Sequence, residues 1–261
     1  MFKEYLRYVW RSAHDPEYKF FSNFNFRKGT CVIVGYNEGK NITSFRYFNE
    51  KYRIVQFERD PFLQARIAAM GGIAGSDFEV HIARLGSQQG AQTLFVPRVR
   101  YKRIVEKATF ESDILKDDRT LIVNAPPEEE KDSPFDHEMT DDLHSPQTTA
   151  PDGVDQIVVE TKLFDSYRIN SDIIIIDTAE FSMEPLAGMT SSLARDKPIL
   201  MLPNTWPVVA EANQFLAQMD YRAYVYNPKR NTVRPVGEKE SSTNIFFIHR
   251  QAFEASTETK L

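Results

Sequence analysis

The chain has 261 residues, a net charge of −5, 41% hydrophobic residues and a single cysteine. A chain this long buries roughly three quarters of its unfolded surface, so the fold needs neither a disulfide nor a structural metal. The negative charge excludes a general nucleic-acid binder, and no run approaches the ~18 apolar residues of a membrane span.

The opening stretch MFKEYLRYVWRSAHD spaces Phe2, Tyr5, Leu6, Val9 and Trp10 as a helix does, with charges too frequent for a secretory signal. Phe20, Phe21, Phe24 and Phe26 follow and are expected in core or lid packing. Residues 1–29 thus form an N-terminal helix and aromatic segment ahead of a main domain, 30–249. From Thr30 onward strand and helix signals alternate, the signature of a parallel sheet with crossover helices.

TCVIVGY is a buried strand, and its Cys31 is expected to be a core thiol, in keeping with a reducing cytosol and a cytoplasmic location. A helical stretch from about Lys40 to Tyr52 leads to the strand RIVQFE. The helix PFLQARIAAMGG has proline near its start and glycine at its end. EVHIARLG is a third strand, and QTLFVPRV and IVVETKLF are further extended segments. DIIIID is the strongest strand signal, too apolar to face water. MEPLAGMTSSLARD is then a helix, PILMLP a strand, VVAEANQFLAQMDY a helix, and RAYVYN and NIFFIH are closing strands.

The stretch from about 124 to 153 breaks this rhythm. From Pro126 to Gly153, nine acids against one lysine give a charge of −8, leaving +3 of the total −5 for the remainder. With many prolines and few large apolar groups, the segment is expected to be an acidic disordered insertion. A flexible tail is expected over 250–261. The mildly basic remainder suits an anionic small-molecule partner.

Chemistry concentrates at strand ends. Gly35 and Gly39, after the first strand, let the backbone turn sharply and approach a ligand. Glu58 ends the second strand about 20 residues beyond that turn, where nucleotide-binding α/β folds hold ribose hydroxyls. Together they point to a nucleoside-containing cofactor. The spacing G-x-G-x-x-G is missing, which disfavours a nicotinamide oxidoreductase. Asp177, at the end of DIIIID, stands where ligands of open α/β sheets bind, placed to orient a hydroxyl or take its proton. Other features read as structural: Arg98, Arg100, Lys102, Arg103 and Lys107 as a solvated basic face, His81 as a packed strand residue, and Asp136 to His144 as acids and histidines without fixed metal geometry. No metal site is expected.

From Thr30 to His249, with the acidic stretch as an insertion, the segments resemble the FkbM-type methyltransferases, enzymes that use S-adenosylmethionine mostly to methylate hydroxyls of sugars and natural products. Gly35-x-Asn37-x-Gly39 is similar to the family's cofactor turn, and Phe57-Glu58 to its ribose-binding strand end. Ala83-Arg84-Leu85-Gly86 with LFVPR looks like its third strand and hairpin. Asp172 to Asp177, Glu184 to Gly188, and Asn244-Ile-Phe-Phe-Ile resemble its fourth strand, following helix and closing strand. Departures stand at Ile33 and Ile175, where the family usually has aspartate and lysine, and at Ala179, Glu180 and Ser182 after Asp177.

The resemblance implies a class I methyltransferase-like, Rossmann-type sheet, mostly parallel with an antiparallel closing strand. It implies S-adenosylmethionine held by Gly35, Asn37, Gly39 and Glu58, with Asp177 as proton acceptor and Glu180 in reserve. The acceptor would be a hydroxyl of a sugar, glycan or similar small molecule. The alternative is a non-catalytic binding or scaffold member of the fold.

Overall fold

The central strand-forming runs are apolar on both sides, and they become the buried layer of an α/β structure. The computed structural model describes residues 13–24, 28–99, 102–113, 153–178, 182–205, 208–237 and 241–252. The helix expected from Phe2 to Trp10, the acidic insertion up to Asp152 and the tail from Phe253 lie outside these residues.

The strands are β1 (Thr30–Val34), β2 (Arg53–Glu58), β3 (Phe78–Ile82), β4 (Arg84–Leu85), β5 (Gly90–Val99) and β6 (Lys102–Arg103). They continue with β7 (Gly153–Lys162), β8 (Ile173–Ile176), β9 (Ile199–Pro203), β10 (Tyr221–Asn227), β11 (Thr232–Pro235) and β12 (Asn244–His249). The helices are α1 (Lys40–Phe48), α2 (Gln64–Ala68), α3 (Gly71–Ala74), α4 (Glu184–Ala187), α5 (Thr190–Asp196) and α6 (Val208–Ala217).

The chain divides into two compact units, one of residues 1–91 with 160–261 and one of residues 92–159. The larger unit holds an eight-stranded sheet in the order β11-β10-β12-β9-β8-β1-β2-β3. From β3 across to β9 every adjacent pair is parallel. β12 enters antiparallel between β9 and β10, and β11 pairs antiparallel on the outer edge. This is the Rossmann-type, class I methyltransferase-like sheet. Successive strands step outward from β1 to β3, then the chain returns to β8 on the other side of β1, so the topological switch lies between β1 and β8.

Alternation along the strands builds two cores. Cys31, Ile33, Ile54, Ile173, Ile175 and Met201 face one way, with Phe20, Phe21, Phe45 and Phe246. Val32, Val34, Val55, Phe57, Ile174, Ile176 and Leu200 face the other, with the apolar sides of α4 to α6. Phe20 and Phe21 are core residues, Phe20 lying 4.5 Å from the Phe246 ring centroid, and Cys31 is the buried thiol expected. Arg46 is a buried cation in this layer. It donates to the carbonyls of Asn49 at 3.3 Å, Glu50 at 2.6 Å, Tyr52 at 2.9 Å and Ala74.

Element boundaries depart from the sequence expectation for local reasons. α1 stops at Phe48, because Asn49 turns to extended backbone (φ −147°) and the chain to Tyr52 wraps onto Arg46. The helix expected over 61–72 is a 3-10 turn at Pro61–Leu63 followed by α2 and α3, and Gly71 and Gly72 open α3 instead of ending a helix. EVHIARLG splits at Ala83, whose amide bonds to the Glu58 carbonyl, and Arg84 and Leu85 leave the large sheet to pair with Thr161 and Lys162. In the smaller unit β5 and β6 pair antiparallel at Arg98 and Arg103, over a core of Leu94, Val96, Ala108 and Val159.

Candidate functional site

The carboxyl ends of β1 and β8 meet at the switch point, and their main chains are tied there. The Asp177 amide donates to the Val34 carbonyl at 2.9 Å, and the Gly35 amide to the Phe57 carbonyl at 3.0 Å. Gly35 has φ +94°, and a Cβ on it would lie 2.1 Å from the Asp177 carbonyl oxygen, so no other residue fits. Asn37 (φ 40°), Glu38 (φ 54°) and Gly39 (φ 80°) continue in left-handed backbone. Such a run of sparsely populated conformations is stored at sites where the surroundings over-determine it. A Cβ on Gly39 would lie 2.8 Å from the Met70 methyl carbon, so the turn is also packed from beneath.

That curled turn aims a side chain across the switch. The Asn37 amide nitrogen donates to Asp177 Oδ2 at 2.6 Å. Asn37, expected to touch a cofactor directly, here holds the carboxylate of Asp177. Glu58 braces the turn from the other side: Oε2 accepts the Tyr36 amide at 2.8 Å and Oε1 the Asp60 amide at 3.0 Å. The Glu58 side chain is buried, which pushes its carboxyl above the usual range, while main-chain donors at Asp60, Tyr36 and Arg59 and the Arg59 charge pull it back. Asp60 in turn accepts the Phe62 amide at 2.9 Å, capping the next 3-10 turn.

Asn37 and Asp177 lie on the wall of a cleft of about 390 Å³ at the carboxyl edge of the sheet. The rest of its wall comes from segments far apart in the chain: His14 to Tyr18, Pro203, Pro228, and Ser241 with Thr243 and Asn244. Glu58 does not line this cleft; it holds the main-chain amide of Tyr36, the residue before Asn37. Among the described residues the charged groups on the wall are Asp15, Glu17, Asp177 and the ionisable His14.

The far wall is clasped by Asn244. Glu17 accepts the Asn244 main-chain amide at 2.9 Å and side-chain amide at 3.0 Å, and the Thr243 amide at 3.2 Å. The same side chain donates to Asp15 at 2.7 Å. Burial, with the Asp15 charge beside it, outweighs these donors and raises the Glu17 carboxyl above its ordinary range. His14 is fixed by Ser44 of α1: the Ser44 hydroxyl oxygen accepts the His14 main-chain amide at 3.0 Å and lies 2.7 Å from His14 Nδ1. The Tyr18 ring stands 5.0 Å from the imidazole, and its hydroxyl donates to Asn41 at 2.7 Å.

Sequence reasoning missed this wall. Its one signal was the run His14-Asp15-Pro16-Glu17-Tyr18, which has no periodicity and acquires its role from a residue more than 220 positions away. Glu180 lies outside the described residues, as does the run Asp136 to His144. Ile33 and Ile175 are both fully buried and opposite one another in the β1–β8 register, so these departures fall in the core and not on the cleft. His81 stacks on Phe57 at 4.8 Å, as a packed strand residue. Of the basic run, Arg98 and Arg103 flank Asp155 at 3.3 and 2.5 Å, and Arg100 is outside the described residues. Among the described residues no helix is long and apolar enough to cross a membrane, and there is no group of three metal-ligand side chains.

No family model matches the chain, and no curated protein matches it. Similar solved structures include the methyltransferase FkbM from Methylobacillus flagellatus KT, 14% identical with a TM-score of 0.47, covering 89% of this chain and 50% of that one. The MycE methyltransferase of the mycinamycin biosynthetic pathway, solved with Mg and SAH, is 10% identical with a TM-score of 0.39 over 99% of this chain and 54% of its own. Human methyltransferase-like protein 13, solved with SAH, is 12% identical with a TM-score of 0.36 over 97% and 86%. The chain thus spans half the length of the FkbM structure.

Proposed function

We propose that the chain is an S-adenosylmethionine-dependent methyltransferase acting on a hydroxyl of a sugar, glycan or similar small molecule. The observation that carries this reading is the Asn37–Asp177 contact at the switch point, on the wall of a cleft of about 390 Å³. Ligands of open α/β sheets bind there.

The residues fit the donor. A carboxylate offers about four lone-pair positions, and Glu58 already accepts from the Tyr36, Asp60 and Arg59 main-chain amides, so a further position is left for a ribose hydroxyl. The Gly35–Gly39 turn brings main chain where a side chain would otherwise stand. When bound, S-adenosylmethionine supplies a methyl group already activated on a sulfonium. The protein's task is then to hold the acceptor oxygen in line and to exclude water. Asp177, oriented by Asn37, accepts a hydrogen bond from the acceptor hydroxyl and so directs its lone pair.

The non-catalytic alternative drew support from the apolar residues at Ile33 and Ile175. As buried register partners, they leave the cleft's own groups intact. Calorimetry with S-adenosylmethionine, its demethylated product and NAD tests the reading. Binding of the first two and not the third is expected. Binding of NAD alone, or of none, would overturn it, and donor binding without transfer to any hydroxyl acceptor would favour the scaffold.

A further inference from the structure

The mildly basic remainder of the sequence suits an anionic partner, but the cleft wall does not. Asp15, Glu17 and Asp177 all line it, and the described lining holds no lysine or arginine. Their hydrogen bonds among the described residues come from neutral amides. Asp15 Oδ1 accepts the Glu17 main-chain amide at 2.8 Å, and its Oδ2 the Asn244 side chain at 2.7 Å. Glu17 is held by Thr243 and Asn244, and Asp177 by Asn37. An amide satisfies an oxygen lone pair but cancels no charge.

Asp15 and Glu17 are both more than nine-tenths buried. Burial raises the Glu17 carboxyl, and the Asp15 charge beside it raises it further, as two like charges do when no cation stands between them. The third acid acts on the same space. Burial holds the Tyr18 phenol well above its ordinary range, and the charges of Asp177 and Asp15 both oppose its ionisation. Carboxylates that hold a metal ion converge on one point, and the described residues contain no group of three that does so. Negative charge spread along a cleft of about 390 Å³ suits an organic cation instead.

We propose that the methyl acceptor is a hydroxyl compound carrying a protonated amine, such as an amino sugar. Asp15 and Glu17 draw its ammonium group, while Asp177 meets the reacting hydroxyl. This rests on the methyltransferase reading above and names the substrate class of the same cleft. A carboxylate or phosphate on the acceptor would meet like charges, and a neutral sugar would gain little from them, so the wall selects by repulsion as well as attraction.

The test uses the full chain. Calorimetry first measures binding of S-adenosylmethionine and its demethylated product; absence of both would sink the methyltransferase reading, and this proposal with it. The donor is itself a cation, so the neutral product is then kept bound while glucosamine, glucose and glucuronate are titrated separately. The side-chain amide resonances of Asn37 and Asn244 report binding by NMR, because those amides are bonded to the three carboxylates. Glucosamine should bind about tenfold tighter than glucose, the scale of one charge-assisted contact. Glucuronate should bind weakest, and added salt should narrow the gap. Equal affinities, an order led by glucuronate, or no shift with any of the three would overturn the proposal while leaving the methyltransferase reading standing. Magnesium chloride moving these resonances where glucosamine does not would also overturn it. Glu17→Gln removes a charge and keeps an oxygen for the Asn244 amides, so it should weaken glucosamine about tenfold and glucose hardly at all. Equal losses for both sugars would overturn the role given to charge, and the wild-type ranking decides the matter even if E17Q fails to fold.

Discussion

Ile33 and Ile175 are register partners on adjacent parallel strands at the centre of the sheet, both essentially without solvent exposure. In the FkbM-type sequences that the chain resembles, these two positions usually hold an aspartate and a lysine. A buried ion pair replaced as a unit by apolar residues is often neutral or stabilising, whereas losing one partner leaves an uncompensated charge. Ile33→Asp alone should therefore cost about 3–5 kcal/mol of stability. Adding Ile175→Lys should recover a large part of it. A double-mutant cycle by chemical denaturation measures the coupling, and additive losses would show that the two positions do not act as a pair.

Gly35 is the tightest point of the site. Gly35→Ala puts a methyl 2.1 Å from the Asp177 carbonyl oxygen in a left-handed conformation. Strain and overpacking together should cost about 2–4 kcal/mol, seen as a lower melting temperature. The Asn37–Asp177 contact should separate as β1 and β8 are pushed apart, and donor binding should weaken with it. A G35A protein with wild-type stability and affinity would contradict the packing described here.

Glu58 serves the fold as well as the proposed ribose contact. Glu58→Ala should weaken S-adenosylmethionine binding by about 1.5–3 kcal/mol, and it should also lower the stability of the ligand-free protein by about 1–3 kcal/mol, because the main-chain amides of Tyr36, Arg59 and Asp60 lose their acceptor. Loss of stability without loss of affinity would confine the residue to bracing the turn.

The pH dependence follows from the same burial. The carboxyls of Glu58 and Glu17 are raised in the folded state, so folding binds protons more tightly than the unfolded chain does. Their stabilising contribution is complete below the unfolded carboxyl value and fades as pH rises through the raised values. The stability difference between wild type and Glu17→Gln should thus shift against wild type between the ordinary carboxylate range and neutrality. Urea unfolding at several pH values checks the sign; a difference that grew in favour of wild type with rising pH would refute it.

Arg46 predicts a different loss. Its guanidinium bonds to four carbonyls from the α1 end, the entry to β2 and the end of α3. Arg46→Met keeps much of the stem and strands those acceptors, at a cost of about 2–4 kcal/mol. Hydrogen exchange should report the opening first at Asn49 to Arg53.

The central strands were legible because TCVIV, RIVQFE and IIII need apolar residues on both faces, a pattern few other structures impose. The glycine turn and Asp177 were legible because the fold dictates where the carboxyl ends lie. Elements set by tertiary contacts were not. β11, with the run TVRP, is short and mostly exposed, so nothing in its composition marks a strand. Ala83 ends β3 because the chain beyond it has another partner, which periodicity cannot register. The clasp of Asp15 and Glu17 by Asn244 is invisible until β12 is in place.

That last dependence governs how the protein is made. β12 is buried at all six of its residues and seated between β9 and β10, yet it is the last of the described strands in chain order. While translation proceeds, β9 presents an open edge and the Glu17 segment has nothing to grip. A chain that stalls before Asn244 would therefore display an aggregation-prone edge and a half-built pocket, and a ribosome-bound nascent chain should acquire ligand affinity only when β12 emerges.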